Sequence, residues 1–188
     1  MDTRQVILTR ALELFSARGY DAVGVQELVT AAGVTKPTLY HHFGNKEGVL
    51  AALIAEDSGP LLAKLSATAV YRGDLQGNLL GLASVYLAFG GAQPQVYRLL
   101  STCYLAPPES ESYRLAVPVR RRQHEIVEAL FEAAARDHGN MRGRARRYAY
   151  SFVGLIDTYL WLALSGEVDK DGGLEHDLVR QFSYGIYT

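Results

Sequence analysis

Apolar residues recur every three or four positions along most of this chain, and that spacing predicts α-helices. In the first such stretch the apolar residues are Ile7, Leu8, Ala11, Leu12, Leu14 and Phe15. Gly19 follows them, and glycine is the residue that most often ends a helix. The strict alternation of apolar and polar residues that marks a half-buried strand is absent. The pattern therefore predicts an all-α fold.

Short helices are predicted close together near the N-terminus. The second covers about 25–32 and ends at Gly33, the third begins after Thr35, and a fourth begins near Asn45. Short helices joined by turns of a few residues are typical of a compact module, and the second and third have the spacing of a helix-turn-helix. We therefore expect residues 1–46 to form a small N-terminal domain of three helices.

Longer helices are predicted for the rest of the chain. Their approximate ranges are 75–90, 94–104, 113 or 117 to 137, 142–165 and 174–187. Consecutive prolines at 107 and 108 and consecutive glycines at 172 and 173 separate some of them. We expect residues 47–188 to form a larger helical domain, joined to the first through the fourth helix.

The third predicted helix has the sequence KPTLYHHF, preceded by Thr35. Thr35 can cap this helix by accepting a hydrogen bond from a first-turn N–H. Pro37 is tolerated there because first-turn N–H groups have no helical partner. At about 100° per residue, Leu39 and Phe43 share one face. We expect these two residues to anchor the helix and the polar residues to be exposed.

The exposed polar residues suit contact with a DNA backbone. Thr38, Tyr40 and His41 can donate hydrogen bonds to phosphate oxygens, and Lys36 and Lys46 add positive charge. Lys46 also lies near the start of the fourth helix, where free N–H groups favour an anion. The second helix of a helix-turn-helix can enter the major groove, so the chemistry and the predicted geometry agree.

Base contact is predicted for a smaller set of residues. Pro37 and the methyl group of Thr38 can touch thymine methyl groups, and Gln26 can reach a base edge. Plain structural roles are open for several positions. Tyr40 and His42 can serve in packing, with His42 favoured for that role, and Gln26 and Lys46 can be ordinary surface residues.

Composition limits how the chain could bind DNA. Its net charge is -1, so any contact with nucleic acid depends on a local patch and not on an overall basic field. The single cysteine, Cys103, allows no internal disulfide, which fits a reducing cytoplasm. The N-terminal residues lack the apolar run of a signal peptide, and no stretch is apolar for long enough to span a membrane. We expect a cytoplasmic protein without a membrane partner.

Two runs of residues resemble the DNA-binding domain of the TetR family of bacterial transcriptional regulators. The first is ALELF followed by GYD, and the second is AAGVTKPTLYHHFGNKE. The resemblance implies a homodimer that binds a near-palindromic operator in double-stranded DNA, usually as a repressor released by a small-molecule effector. It also implies which positions face the DNA. The predicted DNA-contacting residues are Gln26, Thr35, Lys36, Pro37, Thr38, Tyr40, His41 and Lys46.

One position departs from the family pattern. Family members usually have Ser or Thr shortly before the position of Gln26, where the hydroxyl caps the second helix and touches a phosphate. Here that segment is Ala22-Val23-Gly24-Val25. Gly24 is a weaker cap, and it has no hydroxyl to offer a phosphate.

From about Asp57 to Thr188 the resemblance is only architectural. It implies that two long helices, here near 117–137 and 146–165, form a four-helix bundle with the same helices of a partner subunit. It also implies a ligand pocket, which is usually apolar with a few polar groups. Aromatic and polar residues within apolar helical stretches are the predicted ligand-binding residues, although ordinary packing explains each of them as well. They are Tyr86, Phe89, Tyr97, Tyr104, His124, Asp157 and Trp161.

Other functions are open at this point. Within the same class, the chain could be an activator or a regulator without a ligand, and its arginine-rich segment 114–147 could be plain solvated surface or bind an anion. An enzyme is disfavoured because the sequence has no HExxH, no glycine-rich phosphate loop and no GxSxG. His124, Glu125 and Glu128 make only a weak HExxE pattern. A helical interaction module that does not bind DNA is the third alternative. We expect no catalytic residue, no metal site and no cofactor.

Overall fold

The computed structural model describes residues 2–169 and 173–185 of the chain. Within these ranges it contains α-helices joined by turns and no strand, which confirms the all-α prediction. The helices are α1 (Thr3–Arg18), α2 (Val25–Ala32), α3 (Lys36–Phe43), α4 (Lys46–Thr68), α5 (Leu75–Ala92), α6 (Pro94–Tyr104), α7 (Glu111–Ala134), α8 (Ala145–Ser165) and α9 (Leu174–Tyr184). A 3-10 turn covers Gly139–Met141.

The chain divides into two compact units. The first consists of 1–60 and 93–120, and the second of 61–92 and 121–188. The division therefore falls inside α4 and inside α7. These units are defined by how compactly their residues pack, whereas the predicted domains 1–46 and 47–188 are defined by their expected functions. That functional division stays a prediction.

In the first unit, α1 packs against α2 and α6. Ile7, Leu8, Ala11 and Phe15 lie on the buried side of α1. These residues are spaced by one, three and four positions, which places them on one stripe of the helix surface. The stripe is the one that the apolar spacing of the sequence predicts, and it forms the core beneath the helix-turn-helix.

In the second unit, α5 packs against α8 and α9, and α8 also packs against α9. Gly90 of α5 allows a close approach, since a Cβ atom at that position would lie 2.5 Å from Cδ2 of Leu160 in α8. The rings of Phe131, Phe152 and Phe182 join α7, α8 and α9, with centroids of Phe152 and Phe182 5.0 Å apart. Close helix contact and aromatic packing therefore hold this unit together.

Two helices continue through a proline. α7 begins at Glu111, before the predicted start at 113 or 117, because the Ser110 hydroxyl accepts a hydrogen bond from the Tyr113 N–H at 3.2 Å. Pro118 then lies inside α7, and Pro60 lies inside α4. Each proline removes one backbone hydrogen bond, and the packing of the rest of the helix outweighs that loss.

Smaller differences affect other helix ends. α5 extends to Ala92, and α8 begins at Ala145 instead of 142 because the 3-10 turn precedes it. The last described helix ends at Tyr184, and the predicted end near 187 lies outside the described residues. Among the helices of 2–169 and 173–185, none combines the length and apolar character needed to cross a membrane.

Cys103 is a buried residue of α6. Its exposed fraction is 2%, and burial raises the pKa of its thiol to about 11. The sulfur is therefore a protonated thiol at neutral pH and packs as a small apolar group.

We expect the cap of α2 to respond to a hydroxyl at position 24. Gly24 is the N-cap of α2 and has no side chain to bond the first-turn N–H groups, and a Cβ atom there would meet nothing within 4 Å. Gly24→Ser should therefore be about 1 kcal/mol more stable than Gly24→Ala, which adds the same Cβ without the hydroxyl. Denaturant unfolding of the two variants measures this difference, and equal stabilities would contradict the role of the cap.

Gly33, at the other end of α2, has a left-handed backbone with φ 64°. Gly33→Ala should lower the free energy of unfolding by about 1–2 kcal/mol because a Cβ atom crowds the carbonyl in that conformation. Gly33→Asn should lose less, since asparagine tolerates the left-handed region better than alanine does. The same denaturant measurement compares them, and an Ala variant as stable as wild type would contradict the explanation.

Candidate nucleic-acid interface

The turn between α2 and α3 is tight and held by backbone hydrogen bonds. Gly33 adopts the left-handed conformation, and the Val34 N–H donates to the Val29 carbonyl at 2.9 Å. Leu28 and Val29 of α2 are buried, and α2 packs against both α1 and α3. This arrangement of two short helices across a glycine turn is the predicted helix-turn-helix.

Thr35 begins α3 in the predicted way. Its hydroxyl oxygen accepts a hydrogen bond from the Thr38 N–H at 3.4 Å and lies 2.9 Å from the Thr38 hydroxyl oxygen. Lys36 and Pro37 occupy the first turn, where the proline lacks only an N–H that would have no helical partner. The helix ends at Gly44, whose N–H donates to the Tyr40 carbonyl at 2.8 Å.

One residue of α3 is fully buried. Leu39 has no measurable exposure, whereas Tyr40 is 45% exposed and His41 is also exposed. Phe43, the second predicted anchor, is only half-buried, and the Arg4 guanidinium lies 5.5 Å from the centroid of its ring. Phe43 therefore packs beside Arg4 at the edge of α3, and Leu39 is the main anchor of this helix.

Gln26 lies in the first turn of α2 and is exposed. Its neighbour Glu27 is engaged in an ion pair with Arg18 of α1, so that acidic side chain is turned towards a positive partner. The geometry leaves the Gln26 amide on the surface beside the start of α2. Contact with a base or phosphate is compatible with this position and stays a prediction.

The ammonium of Lys46 has partners within the protein. Its Nζ atom lies 3.2 Å from the Tyr20 carbonyl and 3.2 Å from the Val23 carbonyl. It also lies 4.0 Å from the centroid of the Tyr20 ring. An ammonium has three N–H donors, and the two carbonyls engage two of them.

The structure therefore brings most of the predicted residues to one region. Thr35, Lys36, Pro37, Thr38, Tyr40 and His41 lie on or beside α3, with Gln26 on α2 and Lys46 at the start of α4. DNA contact by each of them stays a prediction. Sequence reasoning did not identify Tyr20 as a structural partner of Lys46, and the local signal for it is an aromatic residue directly after Gly19.

The predicted ligand-binding residues lie in different surroundings. Three are buried, three are half-buried, and Trp161 is 44% exposed. The buried ones are Tyr86, Tyr97 and His124, and the half-buried ones are Phe89, Tyr104 and Asp157. The His124 ring stacks on Tyr150 at 3.8 Å between centroids, and the Arg120 guanidinium lies 5.3 Å from the Tyr104 ring. A role in ligand binding stays a prediction for all seven.

Clefts in the second unit are lined by other residues. One of about 300 Å³ lies among α5, α8 and α9 and is lined by Leu87, Leu160 and Leu164 with Ser84 and Glu175. Another, of about 480 Å³, includes three side chains of the arginine-rich segment, which are Arg136, Arg142 and Arg146, together with Glu128 and Glu132. The carboxylates reduce the positive charge of that second cleft.

Comparison with known proteins gives the same assignment for the N-terminal region. The sequence model described as bacterial regulatory proteins of the tetR family matches residues 7–53. This range begins within α1 and ends within α4, so it contains the whole helix-turn-helix.

Two curated relatives extend the comparison. The transcriptional activator FasR of Mycolicibacterium smegmatis is 29% identical over 187 residues, which cover 98% of this chain and 82% of that protein. The transcriptional repressor ComR of Escherichia coli is 43% identical over 51 residues, or 27% of this chain and 24% of that protein. The relatives thus include both an activator and a repressor.

A solved structure matches almost the whole fold. The regulator FadR from Bacillus subtilis, solved in complex with stearoyl-CoA, superposes with a TM-score of 0.78 at 17% identity and covers 97% of this chain and 99% of that one. At this identity the match shows the fold alone. The matched family model and the helix-turn-helix geometry together identify residues 7–53 as the DNA-binding domain of a transcriptional regulator of the TetR family.

Proposed function

We propose that α3 is the recognition helix and lies in the major groove of an operator. The observation that carries this proposal is the division of α3 between one fully buried residue, Leu39, and exposed Tyr40 and His41 on its outer side. A helix anchored in this way can enter a groove without losing its own packing. Residues 1–46 then carry the operator contacts, and residues 47–188 carry dimerisation and effector binding.

The proposed operator contacts fall into two kinds. Lys36, Thr38, Tyr40, His41 and Lys46 supply donors and charge to phosphates, which sets affinity and position on the DNA. Pro37 and Gln26 approach the bases, which contributes sequence preference. Thr35 supports both kinds of contact because it fixes the start of the recognition helix.

We also propose that the protein acts as a homodimer, with α8 at the centre of the interface. The outer side of α8 exposes the small residues Ser151, Gly154 and Thr158, flanked by Tyr150 and Trp161, which are 45% and 44% exposed. Small residues allow close helix approach, and exposed aromatics are typical of an interface. The spacing of three, four and seven positions is that of a helix-pairing seam.

The second helix of the proposed interface is α9. A cleft between α8 and α9 is lined by Leu155, Leu162, Val168 and Leu174 together with Asp169 and Asp177, and a partner helix could cover its apolar side chains. The sequence resemblance implies α7 in this role, which is the alternative. The outer side of α7 carries Arg121, Arg122 and Glu125, all exposed, and charged residues are depleted from interface centres.

A symmetric dimer implies a symmetric operator. Two recognition helices related by a twofold axis read two half-sites about 34–36 Å or slightly further apart on one face of the DNA. The half-sites are therefore inverted copies, and the operator is near-palindromic. The protein would bind this operator in the cytoplasm.

For the effector, we propose an amphiphilic small molecule, with a fatty acyl-CoA as the first compound to test. The support is the fold shared with FadR, which was solved in complex with stearoyl-CoA. The predicted ligand-binding residues, among them buried Tyr86 and half-buried Phe89, offer aromatic surface to an acyl chain. An effector can shift operator affinity only if it binds the DNA-competent and DNA-incompetent states differently.

The sign of regulation has two candidates. We propose a repressor that the effector releases from its operator, as the sequence resemblance implies. Activation is the alternative, and it is favoured by the similarity to the activator FasR over 98% of this chain. A reporter gene under the natural promoter, with and without the regulator, distinguishes them by whether expression falls or rises.

The phosphate contact of Lys36 has a measurable salt dependence. A binding sequence is first selected from a library of random DNA duplexes, and its dissociation constant is measured by fluorescence anisotropy at several salt concentrations. Lys36→Met should weaken binding. It should also reduce the magnitude of the slope of the logarithm of the association constant against log[salt], by about 1 for each phosphate that the lysine no longer neutralises. Lys64→Met changes the same residue type at an exposed position of α4 and should leave both the affinity and the slope unchanged.

Failure of the wild type to enrich any sequence would contradict operator binding altogether. Enrichment with equal slopes for wild type and Lys36→Met would contradict only the assigned phosphate contact.

Disruption of the proposed dimer requires a charge on the outer face of α8. Trp161→Glu should convert the dimer into a monomer in sedimentation velocity, because two glutamates would face each other in an apolar interface. Val70→Glu is the control, since Val70 is 52% exposed and lies in the turn after α4. A Trp161→Glu variant that stays dimeric would contradict the placement of the interface.

The effector proposal predicts that stearoyl-CoA changes the affinity for the selected duplex. The control ligand is coenzyme A, which lacks the acyl chain and should leave the affinity unchanged. An unchanged dissociation constant with stearoyl-CoA at saturating concentration would exclude this compound as the effector while leaving operator binding intact.

A further inference from the structure

Tyr20 contacts residues of α1, α4 and α7 in the first unit. It lies directly after Gly19, which ends α1, and only 4% of it is exposed. Its ring packs edge-on against Phe15, with centroids 5.2 Å apart. The ring position is therefore determined by the core of α1.

The polar end of Tyr20 is bound by a residue far along the chain. Its hydroxyl donates a hydrogen bond to Oε2 of Glu111 at 2.5 Å, and Glu111 is the first residue of α7. Burial, and after it this hydrogen bond, raises the pKa of Tyr20 well above its ordinary value. The phenol is consequently protonated, and remains a donor, at neutral pH.

The other side of Tyr20 holds Lys46. The ammonium of Lys46 lies over the Tyr20 ring and donates to the Tyr20 and Val23 carbonyls, each at 3.2 Å. Lys46 is the first residue of α4 and follows the turn that ends α3. The ring and carbonyl of Tyr20 thus fix a cation that lies next to the recognition helix.

The start of α7 is itself held in place. The Ser110 hydroxyl accepts a hydrogen bond from the Tyr113 N–H at 3.2 Å, and Ser112 is 2% exposed. α6, which precedes this turn, packs along α1. Glu111 is therefore presented to Tyr20 by an anchored turn and not by a free loop.

We propose that Glu111 is a positioning residue for the DNA interface, acting through Tyr20 on Lys46. Its hydrogen bond holds the Tyr20 phenol, and Tyr20 in turn holds the Lys46 ammonium beside the recognition helix, at the place where it would meet a phosphate. Glu111 lies outside 7–53, the range matched by the family model. The inference rests on the proposed operator contact of Lys46.

The energetic reason is the conformational freedom of a lysine. A lysine that is free in solution loses rotamer freedom when it binds a phosphate, and a lysine that is already held has less to lose. Removal of the Glu111 acceptor leaves the buried Tyr20 hydroxyl without that partner, which favours movement of the ring. Lys46 would then regain freedom in the unbound protein, and operator affinity would fall.

The test uses the full-length chain and the selected duplex described above. Glu111→Ala and Tyr20→Phe should each weaken operator binding about threefold to tenfold. The double variant should lose no more operator affinity than either single variant, because both substitutions remove the same hydrogen bond. Glu111→Gln keeps an acceptor oxygen and should bind nearly as wild type does.

Two controls separate positioning from a general loss of structure. Glu109→Ala removes an exposed carboxylate two residues away and should leave affinity unchanged. In a Lys46→Met background, Glu111→Ala should have no further effect on affinity or on its salt dependence. Thermal unfolding followed by circular dichroism establishes that each variant is folded at the assay temperature.

Four results would overturn the inference. A folded Glu111→Ala variant could bind the duplex as tightly as wild type, or the affinity losses of Glu111→Ala and Tyr20→Phe could multiply in the double variant. Glu111→Gln could lose as much affinity as Glu111→Ala, or Glu111→Ala could lower the affinity equally in the Lys46→Met background. If Glu111→Ala does not fold, Tyr20→Phe and Glu111→Gln decide the question by the same criteria. Absence of wild-type binding to any duplex would instead refute the proposed function.

Discussion

The helix that carries most of the proposed DNA contacts is too short to be stable alone. Isolated helices of fewer than about 12–15 residues are marginal in water, and α3 has 8 residues. Its stability depends on the burial of Leu39 and on the caps formed by Thr35 and Gly44. A single deep anchor leaves most of the helix surface open, as a helix that enters the major groove requires.

Tyr20 also holds several parts of the first unit together with a single side chain. One buried aromatic residue packs on Phe15, donates to Glu111 and supports the ammonium of Lys46. Each contact restricts the others, because the ring has one position that satisfies all three. The orientation of α4 at its first residue is therefore tied to the core of α1 and to the first turn of α7.

In the second unit, close helix approach has the corresponding role. Gly90 brings α5 against Leu160 of α8, which turns the buried side of α8 towards α5 and α9. The opposite side of α8, with Gly154 and Trp161, is then exposed. The surface that we propose for dimerisation is thus a consequence of how α8 packs within its own subunit.

Local signals account for the elements that the sequence predicted well. The bounds of α2, α3 and α6 follow from Gly24, Gly33, Thr35 and Pro94, which act on backbone groups within one turn. The start of α7 was harder to predict, since the helix begins at Glu111 and not at 113 or 117. The Ser110 cap and the packing of the helix on both sides of Pro118 decided it instead.

The sequence by itself determined the all-α class, the helix-turn-helix and the outward position of Tyr40 and His41. These depend on periodicity and on caps, whose effects extend only a few residues along the chain. Only the tertiary structure decided that Phe43 is half-buried beside Arg4, and that Lys46 is held by Tyr20 and thereby linked to Glu111. Tyr20 and Glu111 are separated by 91 positions, and no local pattern brings them together. Their contact exists because α6 packs along α1 and places the start of α7 beside the end of α1.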